Sequence, residues 1–312
     1  MRTARSASTQ KSVRKGIRVL ALAAVAGVAG VSGALTFTTS TPSARPASVP
    51  SKPTVPPKPT AADARQSTAG PVATTVPAPA LHETVDLFGD SLGYQAEPYL
   101  DMFFADTGRF TVSNNTFGGT ATCDWFGKMA AAAVQRPSAV VLVFSGNAFT
   151  PCMDGVALRS PEYYELYTTD TEQAIGIFRA VGAHVFLVGT PIDQDSVAGW
   201  DRLDDIYRQL AQASPETVTY VDAAAAVESP GGTFTWRLPC MRIEPSCSAD
   251  GTNIVRSPDG IHFCPDGTPA TRGLTGPCDE YSPGAFRFAL AIVSAVTRYR
   301  DLPPAVLVHV AQ

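Results

Sequence analysis

The sequence predicts an α/β fold built on a parallel sheet, and three observations predict it. Short apolar runs rich in Val, Phe and Leu recur at 84–88, 110–113, 139–144, 184–188 and 218–221, each the length of a buried strand. Helix-like stretches alternate with them near 94–105, 121–135, 161–181 and 201–213, and a last one lies near 283–299. Such alternation implies a parallel sheet with helices on both faces. Residues able to do chemistry fall just after the predicted strands, where open α/β sheets form their sites.

The ends are of a different kind. The first eighteen of the 312 residues contain Arg2, Arg5, Lys11, Arg14, Lys15 and Arg18 and no acid. Residues 19–37 then carry no charge. A basic flank before an apolar segment reads as an export signal, or, at this length, as an uncleaved membrane anchor. Either way the basic flank stays inside and the remainder is exported. Residues 38–80 are dominated by Thr, Ser, Pro and Ala. Such a composition cannot bury enough apolar surface to offset chain entropy, so a disordered or polyproline-like linker is expected. Residues 81–312 remain for the globular domain, about 230 residues and enough for one sizeable core.

Charge and cysteines narrow the function classes. Without the six basic residues of the N-terminal flank the net charge falls from −4 to −10. An acidic domain of this kind is a poor partner for nucleic acid or anionic lipid. All six cysteines lie in the globular part, four of them in the irregular stretch 223–280. An even count in an exported chain argues for disulfides. No C-x-x-C pair is present, so no metal is expected.

The first predicted strand ends in Gly89-Asp90-Ser91-Leu92. A serine at a strand-to-helix turn stands at the carboxyl end of the strand, where a helix N-terminus offers free N–H groups to an oxyanion. A serine hydroxyl needs an adjacent base. Of four histidines, His82 borders the linker, His184 begins an apolar strand and His309 lies in the C-terminal tail. Only His262 follows an acid by three residues, in Asp259-Gly260-Ile261-His262. Asp259 is placed to accept the Nδ1–H and fix the tautomer. Two further segments follow predicted strands: the Gly118-Gly119-Thr120 turn and Ser145-Gly146-Asn147.

These blocks in this order resemble the SGNH (GDSL) hydrolase family over roughly residues 84–299. The resemblance implies a flavodoxin-like three-layer α/β/α sandwich with a central parallel sheet. It makes Ser91 the nucleophile and Asp259 and His262 its partners. It puts the N–H groups of Ser91 and Gly119, with Gly118 as the fallback, and the amide of Asn147 in the oxyanion hole. One position departs from the family pattern: Ser145 stands where its third block usually has a glycine. Asp90 reads as support for the turn.

The loops after the second and third strands are expected to be neighbours over the site. A Cys123–Cys152 bridge would join them and preorganise the hole. Cys264–Cys278 and Cys240–Cys247 complete the expected pairing. Trp125, Phe149 and Met153 flank the same loops and either line an acyl or sugar pocket or pack in the core. The resemblance implies an esterase that needs no cofactor and acts on a small-molecule, glycan or lipid ester. An O-acyltransferase or a lipase would use the same triad, and an inactive glycan-binding module is the rival of another class.

Overall fold

In the computed structural model, which describes residues 82–196, 202–265 and 278–300, the apolar runs form five strands. They are β1 (Glu83–Gly89), β2 (Phe110–Thr116), β3 (Ala139–Val143), β4 (His184–Val188) and β5 (Val218–Val221). All are parallel, in the order β2-β1-β3-β4-β5. Val85 of β1, which lies between β2 and β3, pairs with Val112 of β2 and with Ala139 of β3. Among the described residues five α-helices connect or follow the strands: α1 (Ser91–Asp106), α2 (Phe126–Val134), α3 (Pro161–Arg179), α4 (Arg202–Ala213) and α5 (Pro283–Tyr299).

The two-residue period of a strand divides the apolar side chains between two cores. Leu87, Val141 and Phe186 pack with Phe103 of α1 and with Phe286 and Ile292 of α5. Phe88, Leu142 and Leu187 pack on the other face with Met129 of α2, Phe178 of α3 and Tyr207 of α4. Each such side chain contributes about 1.5–3 kcal/mol of burial. The result is the α/β/α sandwich that the sequence implied, in the flavodoxin-like strand order.

Strand order also positions the site. The chain passes from β1 to β2 on one side and later returns to β3 on the other. A crevice therefore opens at the carboxyl ends of β1 and β3. Boundaries differ from the sequence reading in physical detail. The first helix starts at Ser91 instead of 94, because Asp90 caps it there. The expected helix at 121–135 is a 3-10 turn, Thr122–Trp125, running into α2. The irregular stretch contains a small antiparallel pair, β6 (Arg237–Pro239) and β7 (Thr252–Ile254). The expected export segment 1–37 and linker 38–80 lie outside the described residues. Among the described residues no helix is long and apolar enough to cross a membrane.

Candidate active site

Asp90 governs the turn after β1. Its Oδ1 accepts the N–H of Leu92 at 3.0 Å, which caps α1. Ser91 is thus the first helical residue, where backbone N–H groups lack intrahelical acceptors. The Ser91 side chain reaches Nε2 of His262 at 2.8 Å. Nδ1 of His262 stands 2.7 Å from Asp259 Oδ2. The other oxygen, Oδ1, accepts the N–H groups of Ile261 at 2.9 Å and His262 at 3.0 Å. Burial raises the Asp259 carboxyl, but the His262 ring and these N–H donors outweigh it and bring it down to about 2. It is therefore an anion at neutral pH. A carboxylate takes the Nδ1 proton as acceptor, leaving Nε2 to accept from the serine hydroxyl.

The imidazole loop is held from several sides. Ser257 N–H donates to the His262 carbonyl at 2.7 Å, and Gly260 N–H to the Ser257 carbonyl at 2.9 Å. Immediately after His262, Phe263 N–H donates to Oε1 of Gln95 on α1 at 2.8 Å. The Phe263 carbonyl accepts from Ser282 Oγ, also at 2.8 Å. Ser282 is the N-cap of α5, so α1 and α5 both grip the residue beside the base.

The second block is seated by Phe117, whose N–H donates to the Gly89 carbonyl at 3.1 Å. The Gly118-Gly119 turn follows, and the N–H of Gly119 has no acceptor among the described residues. The third block is clamped by Asp90. Its Oδ2 accepts the N–H and the hydroxyl of Ser145, each at 2.6 Å, and the Asn147 amide at 3.0 Å. Asp90 is fully buried. Burial raises its carboxyl, and the bonds from Ser145 and Leu92 act against that rise.

Ser145, the departure from the family pattern, thus supplies a hydroxyl to a buried acid. Gly146 next to it has φ 105°, and a Cβ there would collide with the Tyr163 hydroxyl. That position requires glycine. Asn147 also donates to the Thr120 carbonyl at 3.1 Å. Both hydrogens of its amide are therefore engaged within the protein, one by Asp90 and one by the second block. Donation to a third oxygen must share or displace one of these bonds.

The three disulfides join Cys123 to Cys152, Cys240 to Cys247 and Cys264 to Cys278. The first links the segments that follow the second and third blocks. Of the apolar candidates, Trp125 and Met153 are buried in the core, and only Phe149, 88% exposed, faces solvent. Trp125 instead supports the second block, donating from Nε1 to Thr120 Oγ1 at 3.0 Å. Sequence reasoning missed Gln95 and the clamp on Ser145. Gln95, four residues after Ser91, lies on the same helix face as the nucleophile, and that spacing was the available signal.

Residues 84–271 match the model of a family described as "Protein of unknown function (DUF459)". No curated protein matches the chain. Among solved structures, the chain is similar to TesA, with 20% identity over 58% of this chain and 88% of that one, and a TM-score of 0.37. It is also similar to the C-terminal catalytic domain of peptidoglycan O-acetyltransferase A from Streptococcus pneumoniae: 19% identity, 72% and 97% coverage, TM-score 0.41. A third is a catalytic mutant of an acetylxylan esterase from Geobacillus stearothermophilus: 16% identity, 47% and 78% coverage, TM-score 0.35.

Proposed function

The chain belongs to the DUF459 family, and from its site we propose that it is an SGNH-type serine esterase working through an acyl-enzyme. The observation that carries this reading is the line of hydrogen bonds from Ser91 through His262 to Asp259. Ser91 Oγ attacks the ester carbonyl carbon while Nε2 of His262 takes its proton. Asp259, already anionic, stabilises the imidazolium formed in that step. His262 then gives the proton to the departing alcohol, and water attacks the acyl-enzyme in the reverse sequence. The N–H groups of Ser91 and Gly119 serve as oxyanion donors. Asn147 joins them by releasing or sharing its bond to Thr120.

We read the enzyme as exported, acting on O-acylated carbohydrate or glycolipid of the cell envelope. Three disulfides suit an oxidising compartment, and the basic-then-apolar N-terminal segment suits export or anchoring outside the cytoplasmic membrane. Three large apolar side chains are exposed on the loops that carry the chemistry: Phe117 (50%), Phe149 (88%) and Ile261 (46%). They stand two residues before Gly119, two after Asn147 and one before His262, and they offer apolar surface to the acyl group. Transfer of the acyl group to a sugar hydroxyl uses the same intermediate with a different acceptor.

The test is a fluorophosphonate probe together with acetyl, short-acyl and long-acyl esters of sugars and glycerol, with products assayed for water or sugar as acceptor. Stoichiometric labelling of Ser91 and ester turnover are expected. A protein that neither labels nor turns over is a binding module, and the esterase reading falls.

A further inference from the structure

Arg256 is among the largest fully buried side chains of the molecule, 1% exposed, and the triad chemistry does not use it. A buried guanidinium is costly unless its donors are matched. No carboxylate forms an ion pair with it among the described residues. Backbone carbonyls match its two terminal nitrogens instead, while Nε is buried with no hydrogen-bond partner among the described residues. Nη1 donates to the carbonyl of Ile261 at 3.1 Å, and Nη2 to the carbonyl of Ile192 at 3.0 Å. Its plane is lined by the Phe263 ring at 5.5 Å and the Phe234 ring at 6.0 Å.

The two carbonyls belong to different loops. Ile261 precedes the base, and Ile192 lies in the loop that follows β4. That second loop is itself fixed, because Ile192 N–H donates to Glu228 Oε1 at 2.8 Å. A parallel bond runs from Gln194 N–H to the Gly260 carbonyl at 3.1 Å. The two loops meet closely there: Gly260 has φ 74°, and a Cβ on it would lie 2.5 Å from Gln194 Cβ. The loop bearing Asp259 and His262 is therefore docked along the segment 192–194.

We propose that Arg256 is a positioning residue for the base: its planar fork bridges the Ile261 and Ile192 carbonyls and fixes the direction from which His262 meets Ser91. The guanidinium presents its two donors in a fixed planar fork, whereas an ammonium's three donors share one mobile nitrogen. Burial draws its pKa down to about 10, so the fork stays charged at neutral pH, with Glu228, Asp193 and Asp259 favouring the cation.

The inference rests on the esterase reading for its kinetic arm and has a second arm independent of it. Arg256→Gln, Arg256→Lys and a control, Arg237→Gln, are compared with wild type in ester turnover. They are also compared in the downfield proton resonance of the His262–Asp259 hydrogen bond. Displacing a base by an ångström costs up to about 10²-fold, so kcat is expected to fall about 10–100-fold in Arg256→Gln, with KM within about twofold. The downfield resonance is expected to broaden or vanish. Arg256→Lys is expected to lose at least about fivefold in kcat, since it keeps the charge but not the fork. Arg237→Gln, whose bonds run to Thr252 and Asp250 within the half-buried β6–β7 pair, is expected to match wild type. Wild-type kcat and an unchanged resonance in a folded Arg256→Gln overturn the proposal. Should that variant not fold, Arg256→Lys decides in the same way. If wild type turns over no ester, the esterase reading fails while the resonance still tests Arg256.

Discussion

Opening the Cys123–Cys152 bridge separates stability from catalysis in a measurable way. The bond spans 29 residues and the Cys240–Cys247 bond spans 7. In the chain-entropy model the longer loop stabilises by about 3.6 kcal/mol and the shorter by about 2.4 kcal/mol at 25 °C. For a domain of this size each kcal/mol moves Tm by about 2–4 °C. Cys123→Ser with Cys152→Ser is then expected to lower Tm by about 7–14 °C, and the pair at 240 and 247 by about 5–10 °C. Catalysis is expected to divide them more sharply. The longer bridge joins the segment after Gly119 to the segment after Asn147, whose amide also bonds Thr120 across the same gap. Once the bridge is gone, that 3.1 Å bond is the one direct hydrogen bond between the two blocks among the described residues, and kcat is expected to fall well below that of the other double variant. Calorimetry and steady-state kinetics at a temperature where both variants are folded supply the readings. Equal kcat in the two variants would refute the idea that the bridge preorganises the hole.

Ser91→Ala is expected to keep the wild-type circular dichroism spectrum while kcat/KM drops below about a thousandth of wild type; higher residual turnover argues against the acyl-enzyme. Asn147→Ala is expected to lower kcat by about 10²–10³, and to cost about 1–3 kcal/mol of stability as Asp90 and Thr120 lose a donor, both readable by kinetics and denaturant titration. Phe149→Ser is expected to raise KM for long-acyl esters and leave acetyl esters unchanged, and a uniform effect across chain lengths would remove Phe149 from the acyl surface. The Asp259 carboxyl is held below its ordinary 3.8, at about 2, so its contribution to stability is complete above the unfolded value and is lost as pH falls from about 4 through about 2. The difference in denaturant midpoint between wild type and Asp259→Asn should shrink across that window, and parallel curves would contradict it.

The layers of this fold were legible because each strand is a short apolar block between polar turns, and β3 and β4 are buried along their whole length. Periodicity failed where local hydrogen bonding decides. Helix α1 begins before its apolar spacing does, at a cap that Asp90 makes with Leu92. Strands of three residues, such as β6 and β7, are too short to show a period. Ser91, Asp259 and His262, which the structure brings together, could be singled out because each has a local mark: Ser91 follows a strand, and Asp259 lies one turn of loop before His262. Among their supports Gln95 has its helical spacing as a mark, and Arg256 has none. Arg256 sits in a Cys- and Gly-rich stretch where an arginine reads as surface, and only the tertiary structure reveals two carbonyls waiting for its fork. Trp125 and Met153 show the converse limit, since a pocket wall and a core residue look alike in one dimension.

The bond between Ser91 and His262 joins residues 171 positions apart, and Phe263, beside the base, is gripped by α1 and by the cap of α5. Ser91 therefore emerges early in synthesis, and the loop of His262 is held from both sides only once α5 has docked. Before then Ser91 lacks the imidazole that stands 2.8 Å from it in the finished fold. Loop closure over such a separation comes late in folding, and the Cys264–Cys278 bond, which lies between the base and the start of α5, forms only where thiols can oxidise. Under the proposed esterase reading, the capacity to cleave an ester arrives only with the finished fold.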